Sequence, residues 1–447
     1  MIGPDRPFAA EVSAARAGQR EWSEQPLKQR LRTFRELRHR LVESAEDLAK
    51  LAGEEVERDP GQFISTDVLS TCSAIRYLET DAERILKPRR IGGNPLWLMG
   101  TSHAVSRRPH GVVGIIGTWN YPLFLNAVPI VHALAAGNAV LWKPSERTPR
   151  FAARLGELFR DSGSSLTLLP ATREAGPQLA EADIDFLHFT GSESVGKQIA
   201  STIGARLIPS VLELSGCDAT FVLADANVEL AARTAWYGAV LNRGRTCMAI
   251  RRAFVHRSLR DRFLAELERC KTLPGSPKDA VLLTEVSHDS SACTEASFAP
   301  QLAMLTFDEI DEAITKHAAC GYRLTASIFT ADPQAAEAWC HRLGVGHITF
   351  NDAIVPTAHP ATPFSGRGRS GWGPTQGDEG LLAMTVPAVV SKRRGTFRPH
   401  IDTVLKADAA GDDIAAGMLA MTHGRSLGQR WRGLKRLIGS LGRFGKR

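Results

Sequence analysis

From Gly111 to Leu214 the chain alternates short, largely apolar runs with longer segments whose apolar residues recur at helical spacing. Val112-Val113-Gly114-Ile115-Ile116, Ala139-Val140-Leu141-Trp142 and Phe186-Leu187-His188-Phe189 are continuous runs, as expected of strands buried on both faces. Between the first two, an apolar helix from about Leu123 to Ala136 closes at Gly137. Thr148-Pro149 then starts another helix as N-cap and first helical residue, with Phe151, Leu155, Leu158 and Phe159 as its buried stripe. Leu212-Glu213-Leu214 closes the series. Strand and helix alternating at this length predict an α/β fold with a doubly wound parallel sheet. A looser repeat of the pattern from Ala219 to Val390 predicts a second α/β domain.

The rest of the chain bounds the answer further. Its 447 residues leave room for two or three domains. Leu27, Leu31, Phe34, Leu37 and Leu41 make the region from 11 to 90 read as helical, with nothing catalytic in it. The best candidate for a spanning helix, Ala127 to Trp142, is broken by His132 and Asn138, and the N-terminus lacks the apolar core of a signal peptide. Seven cysteines without a CxxC pair predict reduced thiols in a cytoplasmic setting, and no metal site. The net charge of +7 is local: from Gly424 to Arg447 there are eight basic residues and no acidic one, so the remainder stands at −1. A nucleic-acid-binding surface across the fold is not implied.

Six segments carry the chemistry: GTWNYP (117–122), WKPSERTP (142–149), FTGSESVG (189–196), LELSG (212–216), GRTCMA (244–249) and PFSGRGRSGWG (363–373). In this order they resemble the aldehyde dehydrogenase superfamily, and GTWNYP with the short N-terminus is most similar to its class 3 branch, of fatty and aromatic aldehydes. The resemblance runs from about residue 15 to 392. It implies NAD-dependent oxidation of an aldehyde to a carboxylic acid through a cysteine thiohemiacetal and thioester, NADP being admitted as well. It implies a dinucleotide-binding domain (1–88 and 109–214), a catalytic domain (215–384) and an oligomerisation hairpin and strand (89–108 and 385–395) of a homodimer. A basic amphipathic tail (396–447) lies outside it.

Cys247 is then the nucleophile, and Arg245 and Arg243 upstream supply a cationic setting that would depress its pKa. Taken alone it is one of seven thiols. Glu213 lies in an apolar strand, where a carboxylate needs an arginine partner or a raised pKa. The resemblance makes it the general base that activates water against the thioester, and its presence favours hydrolysis over transfer to coenzyme A. Asn120 sits at a strand-to-helix turn, able to cap the helix and to donate to an oxyanion beside the Cys247 N–H. Gly191, Ser192, Glu193, Ser194, Val195 and Gly196 open a helix after a strand, where a dinucleotide approaches backbone. Lys143 and Glu146 match positions that hold the adenosine ribose, with Trp119, Ser145, Leu214 and Phe298 completing the nucleotide site. A carboxylate near the 2′ oxygen disfavours a 2′-phosphate, which favours NAD. Tyr121, Phe124, Leu125 and Met248 are expected along the aldehyde pocket.

Three departures accompany the resemblance. Cys247 to Phe298 spans 51 residues, about half the interval that the family pattern implies, as though a block around Lys271 to Thr294 were missing. The glutamate that holds the nicotinamide ribose in the family falls on Ala296, with Glu295 one residue off and facing the other way if extended. The usual GGK reads Ser215-Gly216-Cys217. These keep an alternative open: a catalytically weakened member acting as a binding or scaffold protein, or a cysteine esterase. The hairpin and the strand around Val386–Val390 are expected to pair across the dimer. In the tail, Leu427, Trp431, Leu434, Ile438, Leu441 and Phe444 form one helical stripe, with Arg430, Arg432, Lys435, Arg436 and Arg443 around it. That pattern suits a peripheral membrane contact through residues 424–447, docking on a protein surface being the competing reading.

Overall fold

Val112–Ile116 carries apolar side chains on both faces, and the sheet around it buries both. The computed structural model describes residues 6–95, 98, 100–396, 398, 400–401, 405 and 409–444. Strands β1 (Val112–Ile116), β2 (Ala139–Lys143), β3 (Leu166–Leu168), β4 (Phe186–Thr190) and β5 (Ser210–Glu213) run parallel in the order β3-β2-β1-β4-β5. Alternate residues divide between two cores, as the strand period of two demands. Val113 and Ile115 join Trp22, Phe34 and Phe63 on one side, and Val112 and Ile116 join Val12, Leu179 and Ile199 on the other. The helices Leu27–Glu43 and Phe124–Ala135 cover the first face, and Glu193–Gly204 covers the second.

A second sheet has β6 (Asp218–Val222), β7 (Ile250–His256), β8 (Val281–Leu283), β9 (Gln301–Phe307), β10 (Thr325–Phe329) and β11 (His347–Phe350). All are parallel, in the order β8-β9-β7-β6-β10-β11. Helices Val228–Val240 and Arg260–Lys271 cover one face, and Ile310–Ala319 and Pro333–Cys340 the other. A two-residue strand, β12 (Gly371–Trp372), adds antiparallel to β5. The doubly wound α/β fold expected from the apolar runs is therefore present, and both sheets belong to one compact unit, residues 1–86 and 108–386.

Residues 87–107 and 387–447 form a second unit. Its sheet has three strands, Arg89–Ile91, Thr101–Pro109 and Thr385–Arg393, in that order, with the first pair antiparallel. The pairing expected between subunits is thus made within one chain, because the last strand satisfies the hairpin's backbone groups itself. Helices Ala409–His423 and Leu427–Phe444 complete the unit; the second is the helix that the stripe predicts, and it pairs with the first as a helical hairpin. The expected places of the Arg443 and Phe444 side chains lie outside what is described.

Candidate active site

The helix after β1 goes to one face of the first sheet and the helix after β4 to the other, although β1 and β4 are neighbours. Such a switch opens a crevice at the carboxyl ends of the strands, where doubly wound folds take ligands. The segments that leave those ends are the sequence motifs: Gly117–Asn120 after β1, Lys143–Glu146 after β2, Gly191–Ser192 after β4 and Glu213–Ser215 after β5. Trp119, Asn120, Lys143, Ser145, Glu146, Gly191, Ser192, Val195, Leu214 and Phe298 all line one cleft of about 660 Å³, together with Cys247 and Glu213. Two glycines are closely approached by neighbouring side chains. A Cβ on Gly191 would lie 2.5 Å from the Phe189 ring, and one on Gly196 would lie 2.5 Å from Leu214 Cδ2. Ser192 caps the helix Glu193–Gly204, accepting from Val195 N–H at 3.4 Å.

Three residues assigned to this cleft do not line it: Glu193, Ser194 and Gly196. Gly196 serves packing. Glu193 turns away because Arg369 (2.9 Å), Lys197 (2.8 Å) and the Tyr322 hydroxyl (2.6 Å) hold its carboxylate, and the Arg369 hydrogen bonds pull it down to about 2. Glu146 bridges Lys143 (3.4 Å) and Arg173 (3.2 Å), and burial lowers the Lys143 ammonium. Ala296 and Ser297 line the cleft, whereas Glu295 is drawn to Arg369 at 2.8 Å and faces elsewhere. Trp119 meets the edge of Phe298 at 5.7 Å and carries the Arg147 guanidinium at 3.6 Å.

Cys247 is presented by an unusual turn. Asn242, Arg243 and Gly244 have φ of 51°, 55° and 74°, three successive left-handed residues before the loop that enters β7. Such conformations persist only where the surroundings hold them. Here Asn242 Nδ2 donates to Asn120 O at 2.9 Å, and Gly216 N–H donates to Cys247 O at 3.0 Å. Asn120 is fixed from both ends: its Oδ1 accepts from Thr118 Oγ1 at 3.0 Å and its Nδ2 donates to Arg245 O at 2.9 Å. One N–H of that amide remains for a substrate oxygen. The backbone N–H groups of Met248 and Cys247 oppose the rise of the thiol's pKa, but less strongly than burial drives it.

Cys247 Sγ lies 4.0 Å from Glu213 Oε1. No cation among the described residues pairs with Glu213, and burial pushes its carboxyl up to about 7. The expected cationic setting for Cys247 is not what the fold provides. Arg243 and Arg245 both reach Glu57 (2.9 and 2.7 Å), and Arg245 also donates to Val56 O at 2.8 Å. Both guanidinium groups are thus held by Glu57 and not by the sulfur, and burial, then Glu213 and Asp218, push the Cys247 thiol well up. A neutral thiol therefore faces a carboxyl poised near neutrality, a pair in which Glu213 can take the proton.

An expected consequence is that activity rises through about pH 7 and levels off above it. Below that value Glu213 is protonated and cannot act as a base, and the rate should fall about tenfold per pH unit. A pH–rate profile flat from about pH 5.5 to 8.5 would contradict this.

Sequence reasoning missed the support behind Tyr121. Arg58 and Asp67 are both buried and pair at 2.5 Å, with the Arg58 guanidinium 4.4 Å above the Tyr121 ring. Asp67 Oδ1 also accepts from Leu123 and Phe124 N–H at 3.3 and 3.4 Å, where the helix Phe124–Ala135 begins. Tyr121 Oη in turn bonds Thr246 Oγ1 at 2.6 Å, next to Cys247. A second cavity of about 130 Å³ is lined by Tyr121, Phe124, Leu125 and Met248, the four residues expected there, with Tyr237, Leu241, Ile354 and Phe364. Cys247, Glu213 and Leu125 line both cavities.

The sequence profile of the aldehyde dehydrogenase family matches residues 6–280 and 270–390. A 4,4′-diapolycopene aldehyde oxidase from a Methylomonas species is 27% identical over 453 residues, covering 90% of this chain and 84% of that protein. A putative NADP(+) succinate-semialdehyde dehydrogenase from Mycobacterium ulcerans is 27% identical over 447 residues, covering 88% and 86%. The crystal structure of a Mycobacterium tuberculosis aldehyde dehydrogenase complexed with NAD+ matches with a TM-score of 0.80 at 26% identity, covering 87% of this chain and 90% of that one. With the profile spanning nearly all of residues 6–390 and its motifs gathered at one crevice, the chain belongs to the aldehyde dehydrogenase family.

Proposed function

We propose that this chain oxidises an aldehyde to its carboxylic acid with NAD(P), using Cys247 as nucleophile, Glu213 as base and Asn120 with the Cys247 N–H as oxyanion donors. The observation that carries this is the Cys247–Glu213 pair, 4.0 Å apart where the apolar cavity and the larger cleft meet. The Glu213 carboxylate takes the Sγ proton, and the thiolate attacks the carbonyl carbon. Asn120 Nδ2–H and the Cys247 N–H hold the resulting oxyanion. Loss of hydride from that carbon leaves a thioester on Cys247. Glu213 passes the Sγ proton to solvent and, as a carboxylate again, takes a proton from water as that water attacks the thioester. The acid is released and Glu213 returns the proton to the departing Cys247 sulfur, restoring the thiol.

The larger cleft fits a dinucleotide: Gly191 bares backbone beside a Ser192-capped helix, and Lys143 with Glu146 sits across from it. A nicotinamide bound there supplies the hydride acceptor. Glu146 disfavours a 2′-phosphate, which supports NAD as the better cofactor. The Mycobacterium ulcerans relative is described with NADP(+), so both are to be tried. The GTWNYP segment supports the class 3 reading. A shortened catalytic domain has its support in the two profile matches, which meet at 270–280. Purified protein mixed with either cofactor and a panel of aliphatic and aromatic aldehydes should generate reduced nicotinamide. Ester hydrolysis without any such turnover would contradict the proposal and favour a cysteine esterase.

A homodimer rests on the exposed strand Thr385–Arg393, where Val386 and Val390 on one face and Val389 on the other are open to solvent. Light scattering that gave only monomer at micromolar concentration would contradict it.

A further inference from the structure

The helices Ala409–His423 and Leu427–Phe444 pack on each other through small residues. A Cβ on Gly433 would lie 2.4 Å from Met421 N, and one on Gly417 would lie 2.8 Å from Leu437 N. Gly433, Leu437, Ser440 and Ile414 are buried at this crossing. Glycines that would weaken an isolated helix here permit two helices to touch. The packing face is not the apolar stripe read from the sequence. Leu427, Trp431, Ile438 and Leu441 remain 85%, 58%, 61% and 41% exposed. At about 100° per residue these four fall within an arc of about 80°, and the buried face is centred about 110° away.

The stripe is flanked by cations. Lys435 Nζ lies 5.5 Å from the Trp431 ring centre on one side, and Arg430 lies on the other, donating to Gly424 O at 2.8 Å. Arg436 faces a third way, towards Asp413 at 2.6 Å. From Gly424 to the end the charge has one sign only, eight basic residues against no acidic one. Among the described residues no helix is long and apolar enough to cross a membrane.

We propose that this helical hairpin is a peripheral anchor for an anionic bilayer surface. The stripe of Leu427, Trp431, Ile438 and Leu441 sinks into the boundary between headgroups and acyl chains, with the helix in the plane of the surface. Lys435 and Arg430 lay their aliphatic stems along it and hold their charges among the headgroups. Charge complementarity selects the occupant: a one-signed basic tail matches a continuous field of anionic lipid. Trp431, apolar in body and polar at Nε1, suits that depth.

The experiment uses the full chain and vesicles of phosphatidylcholine, with and without phosphatidylglycerol, in a sedimentation assay that reads binding and not activity. Partitioning into the anionic vesicles should exceed that into phosphatidylcholine alone by about tenfold at low salt, and should fall as salt rises. Ile438→Asp, at an exposed position away from the helix crossing, should weaken it by about tenfold. Lys435→Glu should weaken the anionic preference alone. Failure of the unaltered chain to pellet with anionic vesicles at low salt would overturn the proposal, as would pelleting unchanged by both substitutions. A change of oligomeric state in Ile438→Asp with vesicle binding intact would assign the stripe to a second copy instead. All these outcomes are independent of whether the protein oxidises aldehydes.

Discussion

Replacing Cys247 with alanine should abolish aldehyde oxidation, lowering kcat/KM by about 10⁴-fold or more, the scale on which losing a covalent nucleophile acts. The fold should survive. Cys247 is buried beside Leu324, Phe364 and Met248, and trimming one sulfur there costs only about 1 kcal/mol. Its backbone role is also kept, since Gly216 N–H binds the carbonyl and not the thiol. Nucleotide binding should be retained as well, because most of the cleft comes from the ends of β1, β2, β4 and β5. The variant thus separates chemistry from binding: titration with NAD should give a dissociation constant within about threefold of the unaltered protein's. Turnover at an undiminished rate would remove Cys247 from the reaction.

The second large effect is expected far from the reacting atoms. Asp67→Ala should destabilise the protein by about 3–5 kcal/mol, because it leaves the Arg58 guanidinium buried without its counter-charge. Arg58 Nε and Nη1 have no other acceptor, and Nη2 would keep only Thr66 Oγ1 at 2.7 Å. The N–H groups of Leu123 and Phe124 would lose an acceptor in the same stroke. Denaturant unfolding measures the loss, and a change below about 1 kcal/mol would contradict it. Asp67→Asn, which keeps an acceptor oxygen but not the charge, should fall between. Both variants should also slow turnover, since Tyr121 and the start of its helix rest on this pair.

Legibility in the sequence followed the range of the interactions. Val112–Ile116 and Ala139–Lys143 announce themselves because strands buried on both faces must be apolar throughout. The site residues were legible where they lie in contiguous motifs at strand ends, because the sheet alone then brings Asn120, Gly191 and Glu213 together. Asp67 gave no signal: it is a lone acid in a π-helical turn, and its partners are a buried arginine and two backbone groups more than fifty residues on. Asn242 and Thr118, which lock the Asn120 amide and its loop, are equally silent, their hydrogen bonds being matters of loop path. Direction was the other limit. Proximity in sequence placed Arg245 beside Cys247 and Glu193 beside Ser192. Glu57 and Val56 O hold the first, and Arg369 holds the second away from the cleft. The tail's stripe was legible by its period, but not the glycine crossing that leaves it uncovered.

The most direct test of the central claim is rapid mixing of the Glu213→Gln variant with NAD and an aldehyde, followed by intact-mass measurement. Without the carboxylate the thiol is activated more slowly, but the thioester, once formed, has no base to hydrolyse it. Reduced nicotinamide should therefore rise to one equivalent per active site and stop, with the acyl group found on Cys247. Continuous turnover at the unaltered rate, or a burst that leaves no acyl group on Cys247, would contradict the account.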